Sequence, residues 1–240
     1  WPANTVKEAT AAAQMVNEFF VNGVKISNIT VQPDNSPINI SSCETSLSFL
    51  PVTANDIALA LASMASTTSS GTDNITLQQL RLSSPEILPV LAKIFNLSLH
   101  TRKFPQRWKH SLVTPIHKKG DIHDVENYRP ISILSTVSKL LEKLVDMQVR
   151  DYLTANQLIS TNQHEFVKGR SCETALINLS SSLFSSRDEG LYSAVAALDF
   201  TKAFDTARHD ILLAKLPYFG FDSGVCDWFK SYLSDRLQSV

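Results

Sequence analysis

Two aspartates, Asp199 and Asp205, follow a run of small and β-branched residues. The run from Ser193 to Leu198 carries no charge, which predicts a strand buried on both faces of a sheet. A carboxylate at the C-terminal end of such a strand is held at the sheet edge, where it can meet a metal ion or a phosphate. An isolated aspartate after a strand is more often a turn former or a helix cap. The other segments must therefore decide between these interpretations.

A basic hairpin is predicted earlier in the chain. A strand-like stretch at residues 111–117 leads into two short extended pieces, residues 115–121 and 127–132, which are joined by a polar loop that contains a glycine. Lys118 and Lys119 lie at the tip of this hairpin, and Arg129 lies on its return strand. A hairpin of this kind can fold over a triphosphate, because lysine supplies a point charge and arginine a bidentate clamp.

A second basic segment stands before the central run. Lys168, Gly169 and Arg170 come just before Ser171, which is predicted to cap a helix that extends to about Arg187. Basic side chains at a helix N-terminus indicate a phosphate cradle.

Several helices are predicted to position these segments. Their apolar residues recur at helical spacing, and the proposed boundaries coincide with caps, prolines and glycines. They cover residues 5–20, 53–68, 85–99, 135–153, 171–187, 211–216 and 222–237, and residues 28–48 form a polar linker with two prolines.

Size and charge narrow the class of protein. The chain has 240 residues, of which 43% are hydrophobic, and this is enough for one sizeable core or two small ones. No apolar run reaches the roughly 18 residues of a membrane span, so we expect no membrane partner and an intracellular protein. The net charge is −1, yet residues 98–150 carry ten Lys or Arg against five Asp or Glu. This basic middle is suited to local phosphate contact.

The phrase Ala-Leu-Asp-Phe-Thr-Lys-Ala-Phe-Asp-Thr at residues 197–206 resembles the first catalytic motif of the reverse transcriptases of non-LTR (LINE-type) retrotransposons. Other phrases resemble the same family in the same order. They are Ser-x-Gly-x-Asp-x-Ile at residues 69–75, Tyr-Arg-Pro-Ile-Ser at 128–132, Gln-His-Glu-Phe-Val-Lys-Gly-Arg-Ser at 163–171 and Trp-Phe-Lys-Ser-Tyr-Leu-Ser-Asp-Arg at 228–236. Several ordered phrases are far more specific than any single motif.

The resemblance implies an RNA-directed DNA polymerase with an α+β fold. Residues 1–50 would be an N-terminal helix and linker, and residues 51–240 the fingers and first part of the palm of a right-hand polymerase. The implied cofactor is Mg²⁺, and the implied partners are an RNA template, a DNA primer and deoxynucleoside triphosphates.

The same resemblance implies roles for individual residues. Asp199 would be the catalytic metal ligand, and Phe204 would pack under the incoming sugar. The triphosphate and template would be contacted by the basic side chains already named, with Arg129 as the principal contact, supported by Lys118, Lys119, Lys168 and Arg170.

The family's Pro-Gln-Gly loop and Tyr-x-Asp-Asp hairpin do not occur in these 240 residues. We therefore expect a truncated, inactive copy that cannot polymerise alone. One alternative is a nucleic-acid-binding remnant without catalysis, which needs only the basic middle. Another is a phosphohydrolase of the haloacid dehalogenase type, but this class requires a second aspartate at the position occupied by Thr201.

Overall fold

The structure is a computed structural model that describes residues 6–22, 45–200 and 203–240. It is helix-rich with a small mixed sheet, which confirms the α+β class. The helices are α1 (Val6–Asn22), α2 (Ala54–Ser63), α3 (Leu77–Leu82), α4 (Leu88–Thr101), α5 (Thr136–Ala155), α6 (Cys172–Asp188), α7 (His209–Lys215) and α8 (Ser223–Leu233). The strands are β1 (His110–His117), β2 (Tyr128–Ile133) and β3 (Leu237–Ser239).

The main core lies between α2, α4, α5 and α8. The side chains of Ile57, Phe95, Leu140 and Trp228 are almost completely buried there. The predicted cap of α2 is confirmed, since Thr53 and Asp56 form a reciprocal capping box. Pro89 stands in the first turn of α4 and does not kink the helix, because a missing N–H is tolerated at that position.

Helix α5 is the central packing element, as its apolar periodicity predicts. Its buried face includes Leu140, Leu141, Leu144 and Val145. A smaller cluster of Leu47, Phe221 and Val225 lies beside the main core. Leu47 forms a β-bridge with Phe221, so the packed body already includes this part of the chain. The predicted linker falls mostly outside the described residues, and the domain division at residue 50 remains a prediction.

The three strands form one sheet in the order β2-β1-β3. Strands β1 and β2 are antiparallel, in register from Leu112 opposite Ile133 to His117 opposite Tyr128. Strand β3 is parallel to the start of β1. The predicted hairpin is therefore confirmed, and its far end carries the basic residues.

A turn in residues 69–76 fixes the junction between β2 and α5. The Ser135 hydroxyl donates to Asp73 Oδ2, and the Thr136 hydroxyl donates to the Ile75 carbonyl at 2.7 Å. A Cβ added to Gly71 would lie 2.5 Å from the Ser135 nitrogen, so only glycine allows this approach. The turn therefore holds the body against the base of the hairpin.

The prediction of a buried strand at residues 193–198 is wrong. In the structure this segment has no regular secondary structure, and Val195 and Leu198 are 58% and 89% exposed. A strand needs a neighbour to accept and donate its backbone hydrogen bonds. None of the three strands in the described residues pairs with this segment, so its composition alone does not produce a strand.

Candidate functional site

The tip of the hairpin is an ordered loop. The Lys118 amide donates to the Asn127 carbonyl at 2.8 Å, and the Asn127 side-chain amide donates to the Asp121 carbonyl at 3.0 Å. Gly120 has a φ of +91°, and a Cβ there would lie 2.6 Å from Asn127 Nδ2. Tyr128 closes the loop by donating its hydroxyl to the Ile122 carbonyl at 2.8 Å. The backbone that presents the basic side chains is therefore well defined.

Three cations are exposed at this end of the sheet. Arg129 lies opposite Ile116 in the register, and Lys118 and Lys119 follow directly after β1. In the described part of the chain, their side chains form no hydrogen bond or ion pair. Their charge is thus available to an anionic ligand, and their role in binding a triphosphate remains a prediction.

The loop before α6 is organised by Arg170. Its guanidinium Nη1 donates to the carbonyls of Ser160 at 2.8 Å, Thr161 at 3.0 Å and Gln163. These bonds cross-link the loop, so this arginine has a structural task that the sequence did not indicate. Lys168 of the same phrase is exposed.

The N-terminus of α6 is capped by its own side chains. Ser171 accepts from the Thr174 amide, while Thr174 Oγ1 accepts from the Ser171 amide at 2.9 Å. The Ser171 hydroxyl also donates to Glu173, and this hydrogen bond lowers the pKa of the Glu173 carboxyl. A carboxylate in the first turn already occupies the favourable end of the helix dipole. This arrangement weakens the interpretation of the segment as a phosphate cradle.

Two of the predicted site segments meet through an aromatic pair. The rings of Phe166 and Phe204 lie edge to face, with centroids 6.1 Å apart. Arg150 of α5 donates to the Phe166 carbonyl and is itself held by Asp146, at 2.7 and 2.8 Å from the two carboxylate oxygens. The structure thus links α5, the loop before α6 and the segment after Asp199.

Sequence reasoning did not single out Phe166 or Arg150 for this role. Phe166 stands inside a family phrase, and Arg150 follows Asp146 at the spacing of a helical ion pair. Both signals were present in the sequence, but neither indicated that Phe166 contacts Phe204, which lies 38 residues after it in the chain.

Asp199 stands on the exposed, irregular segment 191–200. Asp205 is also exposed, and Phe204 beside it is 81% exposed. Arg208 pairs with Asp210, with its Nε 3.1 Å from Asp210 Oδ1. This hydrogen bond lowers the pKa of Asp210 and raises that of Arg208. The charge of Arg208 is therefore balanced locally by Asp210.

The family motif implies magnesium, and carboxylate oxygen is the donor type that this ion prefers. The described residues do not bring together enough of these donors to hold the ion. Among residues 6–22, 45–200 and 203–240, no group of three or more His, Cys, Asp or Glu side chains is placed to hold a metal ion. These residues alone do not complete a magnesium site.

Among the helices of residues 6–22, 45–200 and 203–240, none is long and apolar enough to cross a membrane.

The family model described as reverse transcriptase (RNA-dependent DNA polymerase) matches residues 116–240 of the chain. The probable RNA-directed DNA polymerase from transposon BS of Drosophila melanogaster is 32% identical over 200 residues, which cover 80% of this chain and 21% of that protein. The RNA-directed DNA polymerase from mobile element jockey of the same fly is 28% identical over 201 residues, covering 83% and 22%.

A third relative is the transposon TX1 uncharacterized 149 kDa protein of Xenopus laevis. It is 25% identical over 181 residues, which cover 75% of this chain and 14% of that protein. The chain thus spans roughly a seventh to a fifth of the length of these relatives.

Proposed function

Because this chain belongs to the reverse transcriptase family, we propose that it forms the fingers and the first part of the palm of an RNA-directed DNA polymerase of a mobile element. The observation that carries the proposal is the match over residues 116–240, which contain the basic hairpin end and the Asp199 motif. The confirmed hairpin supports it, since three cations at its end form no ion pair with any residue that the structure describes.

Within this proposal the hairpin binds the triphosphate of a deoxynucleotide. Arg129 supplies a planar guanidinium that can grip two phosphate oxygens, and Lys118 and Lys119 add positive charge at the tip. The loop 118–127 is hydrogen-bonded internally, so these side chains need little backbone ordering when the ligand arrives.

Phe204 is proposed to lie under the sugar of that nucleotide, with Phe166 supporting its ring from the side. Lys168 is proposed to contact nucleic acid or the nucleotide. Arg170 contributes chiefly by holding the loop that carries Lys168, since its guanidinium is bonded to backbone carbonyls.

Asp199 is proposed as one carboxylate ligand of magnesium, the ion that would neutralise phosphate charge during nucleotidyl transfer. The other ligands must come from outside the described residues, because none of those residues completes the group. The 240-residue chain alone is therefore proposed to bind nucleic acid without extending a primer. A nucleic-acid-binding role without catalysis is the second candidate, favoured by the same lack of accompanying metal ligands.

The test is primer extension on an RNA template with magnesium and deoxynucleotides. The 240-residue chain is assayed beside a chimera in which it replaces the matching 201 residues of the Drosophila jockey polymerase. We expect no extension by the chain alone and extension by the chimera. Asp199→Ala should reduce the chimera's rate by about a thousandfold or more, because a metal ligand contributes several kcal/mol at the transition state.

Asp188→Ala is the matched control, since Asp188 is an exposed acid at the end of α6. A chimera that keeps its rate after Asp199→Ala would refute the role of Asp199. A chimera that binds the primer–template as tightly as the parent polymerase yet does not extend it would favour the non-catalytic role.

A further inference from the structure

A basic surface lies at the opposite end of β1 from the hairpin tip. It consists of Arg102, Lys103, Arg107 and Lys230, and we call these four residues the basic patch. All four side chains belong to exposed residues. They come from two separate parts of the chain, the segment after α4 and the helix α8, so no sequence motif joins them.

Hydrogen bonds bring these two parts together. The Phe104 amide donates to Ser231 Oγ at 3.0 Å, and the neighbouring residues Lys103 and Lys230 each precede one partner of this bond. The guanidinium of Arg102 lies 3.1 Å from Asp227, one helical turn before Lys230. Two lysines and an arginine are therefore anchored at adjacent backbone positions.

The patch retains a net positive charge. Asp227 balances Arg102, but within the described residues Lys103, Arg107 and Lys230 form no ion pair. Arg236 adds a further positive charge on the C-terminal side of α8, where its guanidinium lies over the Tyr232 ring at 4.6 Å. Like charges held close together repel each other, and an anionic ligand relieves that repulsion.

The chemistry of the surface indicates phosphate contact. The aromatic side chains beneath it are buried, with Phe104 and Trp228 only 3% and 1% exposed. They cannot stack on bases, and they offer no apolar surface for insertion into a bilayer. Resting on the proposed function above, we propose that the basic patch binds the sugar–phosphate backbone of RNA, independently of base sequence.

The geometry separates this contact from the hairpin. Strand β1 begins three residues after Arg107 and ends directly before Lys118, and its eight residues at about 3.4 Å each span about 27 Å. About eight phosphates of a stacked strand with a helical rise of about 3.4 Å cover this distance, and an extended single strand covers it with fewer. An RNA strand that follows β1 therefore contacts the patch at one end and the hairpin at the other.

The test measures the binding of a fluorescently labelled, unstructured 20-nucleotide RNA by anisotropy at several salt concentrations. The variant carries Lys103→Gln and Lys230→Gln. The matched control carries Lys93→Gln and Lys215→Gln, which remove the same charge from exposed positions on α4 and α7. We expect the patch variant to bind about tenfold more weakly and the slope of log K against log salt to fall by about 1 to 2.

A four-nucleotide RNA provides the second arm, because it is too short to contact both surfaces even as an extended single strand. The hairpin variant carries Lys118→Gln and Lys119→Gln. With the short probe, the hairpin variant and the patch variant should each lose less affinity than with the long probe, since the linked second contact is absent. Equal losses with both probe lengths would contradict a continuous track.

Several outcomes would overturn the proposal. One is a wild-type chain that does not bind the RNA, and another is a patch variant that binds the RNA as tightly as the control variant does. The others are tighter binding of the wild-type chain to a DNA duplex of the same length, and a loss of the patch variant's binding to anionic phosphatidylserine vesicles that equals its loss of RNA binding. If the hairpin variant weakens RNA binding and the patch variant does not, the patch proposal fails while the proposed function stands. Primer extension by the chimera tests that function separately.

Discussion

Ser135, one of the two residues between β2 and α5, donates its hydroxyl hydrogen to Asp73, which lies 62 positions earlier in the chain. Ser135 is only 1% exposed, so the bond is protected from water. It ties the turn of residues 69–76 to the base of the strand that carries Arg129. A segment far from the predicted site thus holds the base of the strand that carries its principal predicted cation.

Replacing Asp73 with alanine should therefore destabilise the protein. The buried Ser135 hydroxyl loses its acceptor, which costs about 1–3 kcal/mol of unfolding free energy. Urea unfolding of Asp73→Ala measures this loss, and Asp151→Ala, an exposed aspartate on α5, should change stability by less than about 0.5 kcal/mol. The double variant with Ser135→Ala should lose less than the sum of the two single variants. Simple additivity would show that the two residues do not interact.

The guanidinium of Arg170 should protect the loop before α6 from proteolysis. Arg170→Ala removes charge-assisted hydrogen bonds to three carbonyls, which should increase the open fraction of the loop by at least about tenfold. Cleavage by chymotrypsin after the exposed Phe166 reports this opening.

Arg187→Ala is the control for this experiment, because Arg187 is an exposed arginine at the end of α6. If Arg170 acts instead as a phosphate ligand, the variant should lose nucleotide affinity while its cleavage rate stays at the wild-type value.

Ser98 should be needed for the packing of α8 on α4. Its hydroxyl accepts the indole N–H of Trp228 at 3.1 Å and donates to the Lys103 carbonyl at 2.8 Å. Ser98→Ala leaves the Trp228 indole N–H and the Lys103 carbonyl without this partner in a buried position. The variant should lose about 1–3 kcal/mol of unfolding free energy, measured by thermal or urea unfolding. Ser181→Ala, in an exposed position of α6, should leave stability nearly unchanged. A loss below about 0.5 kcal/mol at Ser98 would mean that water replaces the hydroxyl.

The carboxyl of Glu142 should make stability depend on pH. Burial raises its pKa above the ordinary value of 4.5, and this effect outweighs the hydrogen bond from Ser138 and the charges of Arg236 and Lys139. A raised folded-state pKa means that the folded protein binds more protons than the unfolded chain. The contribution of Glu142 to stability should therefore decrease as pH rises above about 4.5, until the folded carboxyl is ionised.

Glu142→Gln removes this titration and provides the measurement. The difference in unfolding free energy between wild type and variant should shift against the wild type as pH rises above about 4.5, and should become constant once the folded carboxyl is ionised. Glu126→Gln is the control, because it makes the same replacement at an exposed position in the hairpin loop. A difference that is constant from pH 4 upward would contradict the raised pKa.

The local order of this chain follows from its sequence. The capping box at Thr53, the cap at Ser171, the apolar face of α5 and the hairpin between β1 and β2 were all predicted, because each depends on interactions within a few turns or between neighbouring strands. The family was also identified from ordered phrases, and the match over residues 116–240 confirms it.

Contacts between distant segments were decided only by the tertiary structure. The sequence could not reveal that Phe166 contacts Phe204, that Arg170 donates to backbone carbonyls, or that Phe104 bonds to Ser231 beside Lys103 and Lys230. It wrongly predicted a buried strand before Asp199, since composition describes what a segment can form, while a strand forms only where another strand satisfies its hydrogen bonds. The types of side chain were thus set by the sequence, and their availability for chemistry was set by their partners in space.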